Sequence, residues 1–262
     1  MQLKFFVGLH QPSDAGHFTH CMISINRIRD RVSNFEVGEW MLDSGAFTEL
    51  RDYGRYRHSP AEYAAHIARW ASCGKLVSAS AQDYMCEDII IHGGWAGGRR
   101  FVGTHLSKAD HQRLTIARYD ELHYHTRNTG VYILPVLQGY APEEYVSHIR
   151  QYGRRLAHGM WVGVGSVCKR NGDPDAIAEV LLAIKKERPD LKLHGFGLKK
   201  TALASDLILS LLHTADSMAW SLAARKQGRN GNDWREAERF VERIYTQPIK
   251  AHAYQHHFKE AA

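Results

Sequence analysis

Cysteine is scarce in this 262-residue chain: Cys21, Cys73, Cys86 and Cys168 lie far apart, and none belongs to a Cys-x-x-Cys pair. That argues against a disulfide framework and against a cysteine-built metal knuckle, and it fits reduced thiols in a cytoplasmic setting. Long apolar runs are missing too. The opening Met1-Gln2-Leu3-Lys4-Phe5-Phe6-Val7 meets His10-Gln11-Pro12 before it is long enough for a signal peptide or a membrane span, so a soluble protein with no membrane partner is expected. No repeat or low-complexity tract interrupts the chain. Acidic residues are outnumbered, 28 Asp+Glu against 34 Lys+Arg, and the formal charge of +6 tilts the choice of partner towards a polyanion such as nucleic acid.

What the chain does have is alternation of strand and helix. Short apolar segments at 3–10, up to 43, 76–83, 131–138, 160–165, 191–196 and 215–219 read as strands. Helical patterns at 59–72, 107–128, 142–156, 174–188 and 202–213 separate them. Ser59-Pro60-Ala61-Glu62 is a helix start with a capping serine and an early carboxylate. The stretch 17–31 reads as a further helix, and 86–104, with Gly93-Gly94 and Gly97-Gly98, as a long lid or binding loop. Strands alternating with helices predict an α/β fold with a parallel sheet. A (β/α)₈ barrel of the TIM type is the first expectation, with seven strands counted and the eighth irregular or missing; a doubly wound sheet is the second. One domain is expected over 1–262, with a basic segment at about 222–235 and a C-terminal helix and tail.

Several strands end on polar residues. Met41-Leu42-Asp43-Ser44-Gly45-Ala46-Phe47 reaches an aspartate and breaks at once on small residues; Asp83, Gln138-Gly139, Gly163-Val164-Gly165-Ser166 and Asp216-Ser217 close other strands. Both architectures bind ligands at the carboxyl ends of strands. A pair of carboxylates such as Asp43 and Asp216 suits glycosyl transfer, one attacking an anomeric carbon and the other shuttling a proton. The plainer alternative is that each caps the turn that follows it. Asp83 accepts from N–H groups and Gln138 both donates and accepts, a mixture that matches a guanine-like base. Gly163-Val164-Gly165 lets backbone approach a ligand, but without a full phosphate-binding spacing it is no dinucleotide site.

These residues carry a resemblance. Asp43-Ser44-Gly45-Ala46-Phe47 is similar to the Asp-Ser-Gly-Gly-Phe motif of the queuine and archaeosine tRNA-guanine transglycosylases. Gln138-Gly139, Gly163-Val164-Gly165, His194-Gly195-Phe196-Gly197 and Asp216-Ser217 follow in that family's order, over roughly residues 38 to 220. The segments 163–170 and 195–199 resemble the short, phage-type DpdA-like relatives that insert 7-deazaguanines into DNA. The resemblance implies a (β/α)₈ barrel in which Asp216 is the nucleophile and Asp43 the general acid/base. It further implies that Asp83 and Gln138 read the purine edge, that Gly139 belongs to the substrate-binding set, that Gly163 and Val164 supply backbone contacts, and that Phe47 and His194 stack on the base. The implied partners are DNA, with tRNA as runner-up, and a 7-deazaguanine such as preQ0, with no cofactor.

The tRNA enzymes hold structural zinc through a Cys-x-Cys-x-x-Cys cluster and a distant His after the nucleophile strand, whereas no cysteine follows Cys168 here. No structural zinc is expected, and His252, His256 and His257 are expected to be a solvated tail. Phosphate contacts are expected from Arg225, Lys226 and Arg229 on a flexible loop, from Lys169 and Arg170, and from Arg99-Arg100. In a duplex the target nucleotide must leave the stack, and Trp95 and Tyr84 are the two aromatic candidates for filling its place. The rival readings are a tRNA substrate, a basic barrel that binds nucleic acid without chemistry, and an unrelated barrel hydrolase acting on a small glycoside.

Overall fold

Pro135 shows how the sheet closes. Proline has no N–H for a ladder, and it splits one strand into Tyr132–Leu134, which pairs with Lys75–Ser80, and Val136–Leu137, which pairs with Trp161–Val164. The oxygens of Pro135 and Leu137 accept from the N–H groups of Gly163 (2.8 Å) and Gly165 (2.9 Å). Nine strand segments, two of them halves of one strand, thus form a ring of eight, all parallel. The ring consists of β1 (Lys4–Leu9), β2 (His20–Ser24), β3 (Glu39–Asp43), β4 (Lys75–Ser80), β5 (Tyr132–Leu134 with Val136–Leu137), β6 (Trp161–Val164), β7 (Lys192–Gly195) and β8 (Leu212–Ser217). This computed structural model describes residues 3–170 and 173–251. The side chain of Lys169 and the histidines His252, His256 and His257 lie outside the described residues.

Strands of such a barrel are buried on both faces, which is why they read as near-continuous apolar runs. Their period of two still sorts the side chains. Phe6, Met22, Met41 and Leu134, with Val77, Tyr132, Trp161 and Phe196, fill the barrel interior. Phe5, Val7, Ile23, Leu42, Val162 and Leu193 face outward, in one core with helix residues such as Ile67, Ile149 and Ile184. Most helices start where the sequence places them. Ser59 Oγ accepts from Glu62 N (3.2 Å) while Glu62 Oε2 accepts from Ser59 N (2.7 Å), so the capping box opens Pro60–Trp70. Lys108–Thr126, Pro142–Tyr152 and Pro174–Glu187 follow the expected order. No helix among the described residues is long and apolar enough to cross a membrane.

The structure corrects the sequence reading in four places. The missing eighth strand is β2, inside the stretch read as a helix; only Ile25–Ile28 is helical there. Cys21, Met22 and Ile23 are buried because both faces of the strand are covered, Ile25 and Ile28 are buried on the short helix that follows, and together that density imitates a helical stripe. The helix expected to run to 213 ends at Leu211, and Leu212-His213-Thr214 already belongs to β8. The 86–104 loop contains a helix, Asp88–His92, and a hairpin of Gly94–Ala96 with Arg99–Phe101. The basic segment is not a flexible loop throughout: Ala219–Lys226 and Trp234–Thr246 are helices, with a turn between them.

Candidate active site

Every strand of the barrel delivers residues to one cavity of about 570 Å³ at its carboxyl end, among them Gly8, Ser24, Asp43, Ser80, Gln138, Gly165, Phe196 and Asp216. Asp83 and Phe47 line it as well. Asp43, Phe47, Asp83, Gln138 and Asp216, five of the residues singled out in the sequence, therefore meet in one space.

Asp216 stands one inward position beyond Thr214 on β8. Beneath it is a polar stack: Trp161 Nε1 donates to Thr214 Oγ1 (2.8 Å), the same oxygen lies 2.8 Å from His194 Nδ1, and His194 Nε2 lies 3.3 Å from Asp216 Oδ1. A carboxylate oxygen only accepts, so Nε2 carries the proton in this pair. Gly197 N donates to the same Oδ1 (3.0 Å). No hydrogen bond among the described residues reaches Oδ2. One oxygen of Asp216 is thus clamped while its twin stays open. His194 itself is fully buried and does not line the cavity, so its ring has no face to offer a stacked base. Phe196, edge-on to His194 at 4.6 Å, lines the cavity in its place.

The second carboxylate cluster is built around Gln138. Its side chain fits because position 165 is glycine; a Cβ there would lie 2.1 Å from Gln138 Nε2. Ser166, held at a positive φ of 57°, accepts from Cys86 N (3.2 Å) and donates to Gln138 Oε1 (2.8 Å), which turns Nε2 towards Asp83 Oδ2. The backbone is fixed as well. Burial pushes His148 down to about 4, so it is neutral: Nδ1 accepts from Gln138 N (2.8 Å) and Nε2 donates to Gln112 O (3.2 Å). Burial raises the Asp83 carboxyl to about 7, with the Asp43 charge adding to the rise and the Gln138 bond opposing it. Asp43 accepts from Gly45 N (3.0 Å) and lies beside Ser24 in the β2–β3 register. Burial lifts it to about 6, with the nearby Asp216 charge contributing and hydrogen bonds from Ser24 and Gly45 holding it back.

Other expected residues take different places. Gly139 approaches the start of helix Pro142–Tyr152, where a Cβ would lie 3.1 Å from Tyr145 N. Gly163 makes room for the Phe196 ring, and Val164 is buried in the core between strands and helices. None of these three lines the cavity, whereas Gly165 and Ser166 do. Arg170 lies over the Tyr140 ring at 4.5 Å. Arg225 donates to Ser221 Oγ (2.6 Å), exposed Lys226 ends the same helix, and Arg229 is committed to Glu236 (2.6 and 3.1 Å).

Sequence reasoning passed over His10, Ser24, Asn26 and Arg27, all of which line the cavity. Arg27 Nη2 donates to His10 Nδ1 (3.3 Å), and His10 Nε2 reaches Ser221 Oγ (2.7 Å). Burial, Arg27 and Arg225 together push His10 down to about 4. The signal for Ser24 was present, since Cys21-Met22-Ile23-Ser24 is an apolar run ending on a small polar residue like the other strand ends. Among the described residues no group of three or more His, Cys, Asp or Glu is placed to hold a metal ion.

No curated protein matches the chain. Residues 1–237 match the DpdA family, DeoxyPurine in DNA protein A, and the chain belongs to that family.

Proposed function

We propose that this protein exchanges guanine in DNA for a 7-deazaguanine such as preQ0. The open Oδ2 of Asp216 is the observation that carries this reading: the donors of His194 and Gly197 hold the other oxygen, so Oδ2 is free to attack C1′. In the first step the C1′–N9 bond breaks, a C1′–Oδ2 ester forms, and guanine leaves with a proton from Asp43. In the second step the incoming base gives its N9 proton to Asp43, N9 attacks C1′, and Asp216 is released. A carboxyl lifted to about 6 is suited to giving and taking a proton near neutral pH.

Asp83 and Gln138 read the base edge. The carboxylate accepts from the N1–H and N2–H groups, and the amide, oriented by Ser166, offers a donor to O6. Phe47, 37 % exposed on the first turn of helix Ala46–Tyr53, closes over the base from the side. Arg27 and Arg225, with His10 between them, supply phosphate contacts at the rim. The family's name, DeoxyPurine in DNA, supports DNA as the substrate over tRNA.

The test is incubation of the protein with duplex DNA and preQ0, digestion to nucleosides and mass spectrometry, with tRNA in parallel. The deazaguanine deoxynucleoside is expected from DNA and nothing from tRNA. Modification of tRNA alone would contradict the reading.

A further inference from the structure

Beside the cavity stands a ribbon whose two faces differ. Gly97 and Gly98, both at positive φ (57° and 72°), make the two-residue turn that suits strand twist. Across the hairpin Trp95 faces Arg100, Ala96 faces Arg99, and Gly94 faces Phe101. Directly opposed residues share a face and successive residues alternate. One face therefore carries Ala96, Arg99 and Phe101, the other Trp95 and Arg100. The first face turns to the site: Arg99 lines the cavity, and the Phe101 ring meets Phe47 edge-on at 5.9 Å.

The foot of the ribbon is anchored. Val102 N donates to Arg51 O (2.9 Å), Thr104 N to Ile90 O (2.9 Å) and His105 N to Ile91 O (2.8 Å), while Phe101 is buried in a small core with Leu50, Tyr56 and Ile90. The tip is open. Trp95 is 73 % exposed, and a Cβ at Gly97 or Gly98 would meet nothing within 4 Å. Arg99 and Arg100 form no ion pair among the described residues. Tyr84, the other aromatic near the site, is buried edge-on to Tyr56 and His111 and has no way out to a duplex.

A large ring left in water near the end of an anchored arm, with Arg100 opposite it on the same face, Arg99 on the other face and the cavity alongside, is placed to meet stacked bases and phosphates. We propose that the hairpin 94–101 is a duplex-opening wedge. The ribbon lies between the extruded guanosine, on the Arg99 and Phe101 face, and the remaining stack, on the Trp95 face. Trp95 fills the gap and stacks on the unpaired base, which replaces part of the stacking that extrusion removes. Arg99 and Arg100 contact the flanking phosphates. This inference rests on the base-exchange reading.

Trp95→Ala and Trp95→Phe of the full chain test it on duplex and single-stranded DNA, with a second readout from 2-aminopurine placed beside guanine in several sequence contexts. Trp95→Ala is expected to lower exchange in duplex DNA about tenfold, the weight of one base–aromatic stack, to leave single-stranded DNA within about twofold, and Trp95→Phe to recover most of the loss. Wild-type protein should raise 2-aminopurine fluorescence in the duplex and Trp95→Ala should not. That contrast supports the wedge even where no exchange is seen, which would count against the base-exchange reading alone. Equal fluorescence in both proteins, or equal loss on both forms of DNA, would overturn the wedge.

Discussion

Strand β3 carries a carboxylate at each end, and the two are treated differently. Glu39, at the barrel floor, lies between Lys4 and Lys75, with Lys75 Nζ 2.9 Å from Oε2. Asp43, four residues further on at the rim, pairs with no lysine or arginine among the described residues, and neither does Asp83 or Asp216. The rim carboxylates are held by backbone N–H, amide, hydroxyl and imidazole donors instead. A neighbouring cation stabilises a carboxylate in its charged form, whereas burial without one raises the proton affinity of Asp43 and Asp83, and the hydrogen bonds to them oppose that rise only in part. In such barrels the floor generally serves stability and the rim chemistry, and the two ends of β3 differ in that direction.

Substitutions at the two ends sharpen this contrast. The largest effect is expected for Asp43→Asn, which keeps the shape and removes the proton carrier: single-turnover exchange should fall by about 10³. A loss below tenfold would mean that the rim does not depend on this titration. Asp83→Asn comes next, with kcat/KM for exchange expected to drop about 10²-fold as the carboxylate acceptor is lost.

The same variant has a stability signature of definite sign. Burial raises Asp83 from 3.8 to about 7, so between those values the folded chain keeps a proton that the unfolded chain has released. Stability then decreases as pH rises through this window, and asparagine escapes the penalty. In thermal melts Asp83→Asn should match the wild type at pH 4 and exceed it by several degrees, on the order of 2–4 °C per kcal/mol, at pH 8. The smallest effect belongs to the floor. Glu39→Gln should cost about 1 kcal/mol of stability, read by urea titration, and leave exchange unchanged. Loss of exchange in that variant would break the division between floor and rim.

The alternation of strands and helices was legible because apolar runs and capping signals are local properties, as at Ser59-Pro60-Ala61-Glu62. Asp43, Phe47, Asp83, Gln138 and Asp216 were legible as a group for a similar reason, each standing at or just beyond a strand end. β2 was hidden, because burial on both faces removes the alternation that marks a strand. The position of His194 was hidden too. Whether a histidine faces a ligand or supports a carboxylate depends on Thr214 and Trp161, which come from two other strands. Arg229 looked available until Glu236, seven residues away, was seen to hold it. The wedge hairpin shows a further limit: Gly97-Gly98 signals the turn, but which aromatic stays exposed follows only from the small core around Phe101.

The most direct test of the central claim is to denature the protein shortly after mixing with duplex DNA, digest both polymers, and identify the peptide that carries a deoxyribosyl adduct. The account predicts the adduct on the peptide containing Asp216, and neither adduct nor exchange in Asp216→Asn. An adduct on another residue, or wild-type exchange in Asp216→Asn, would contradict it.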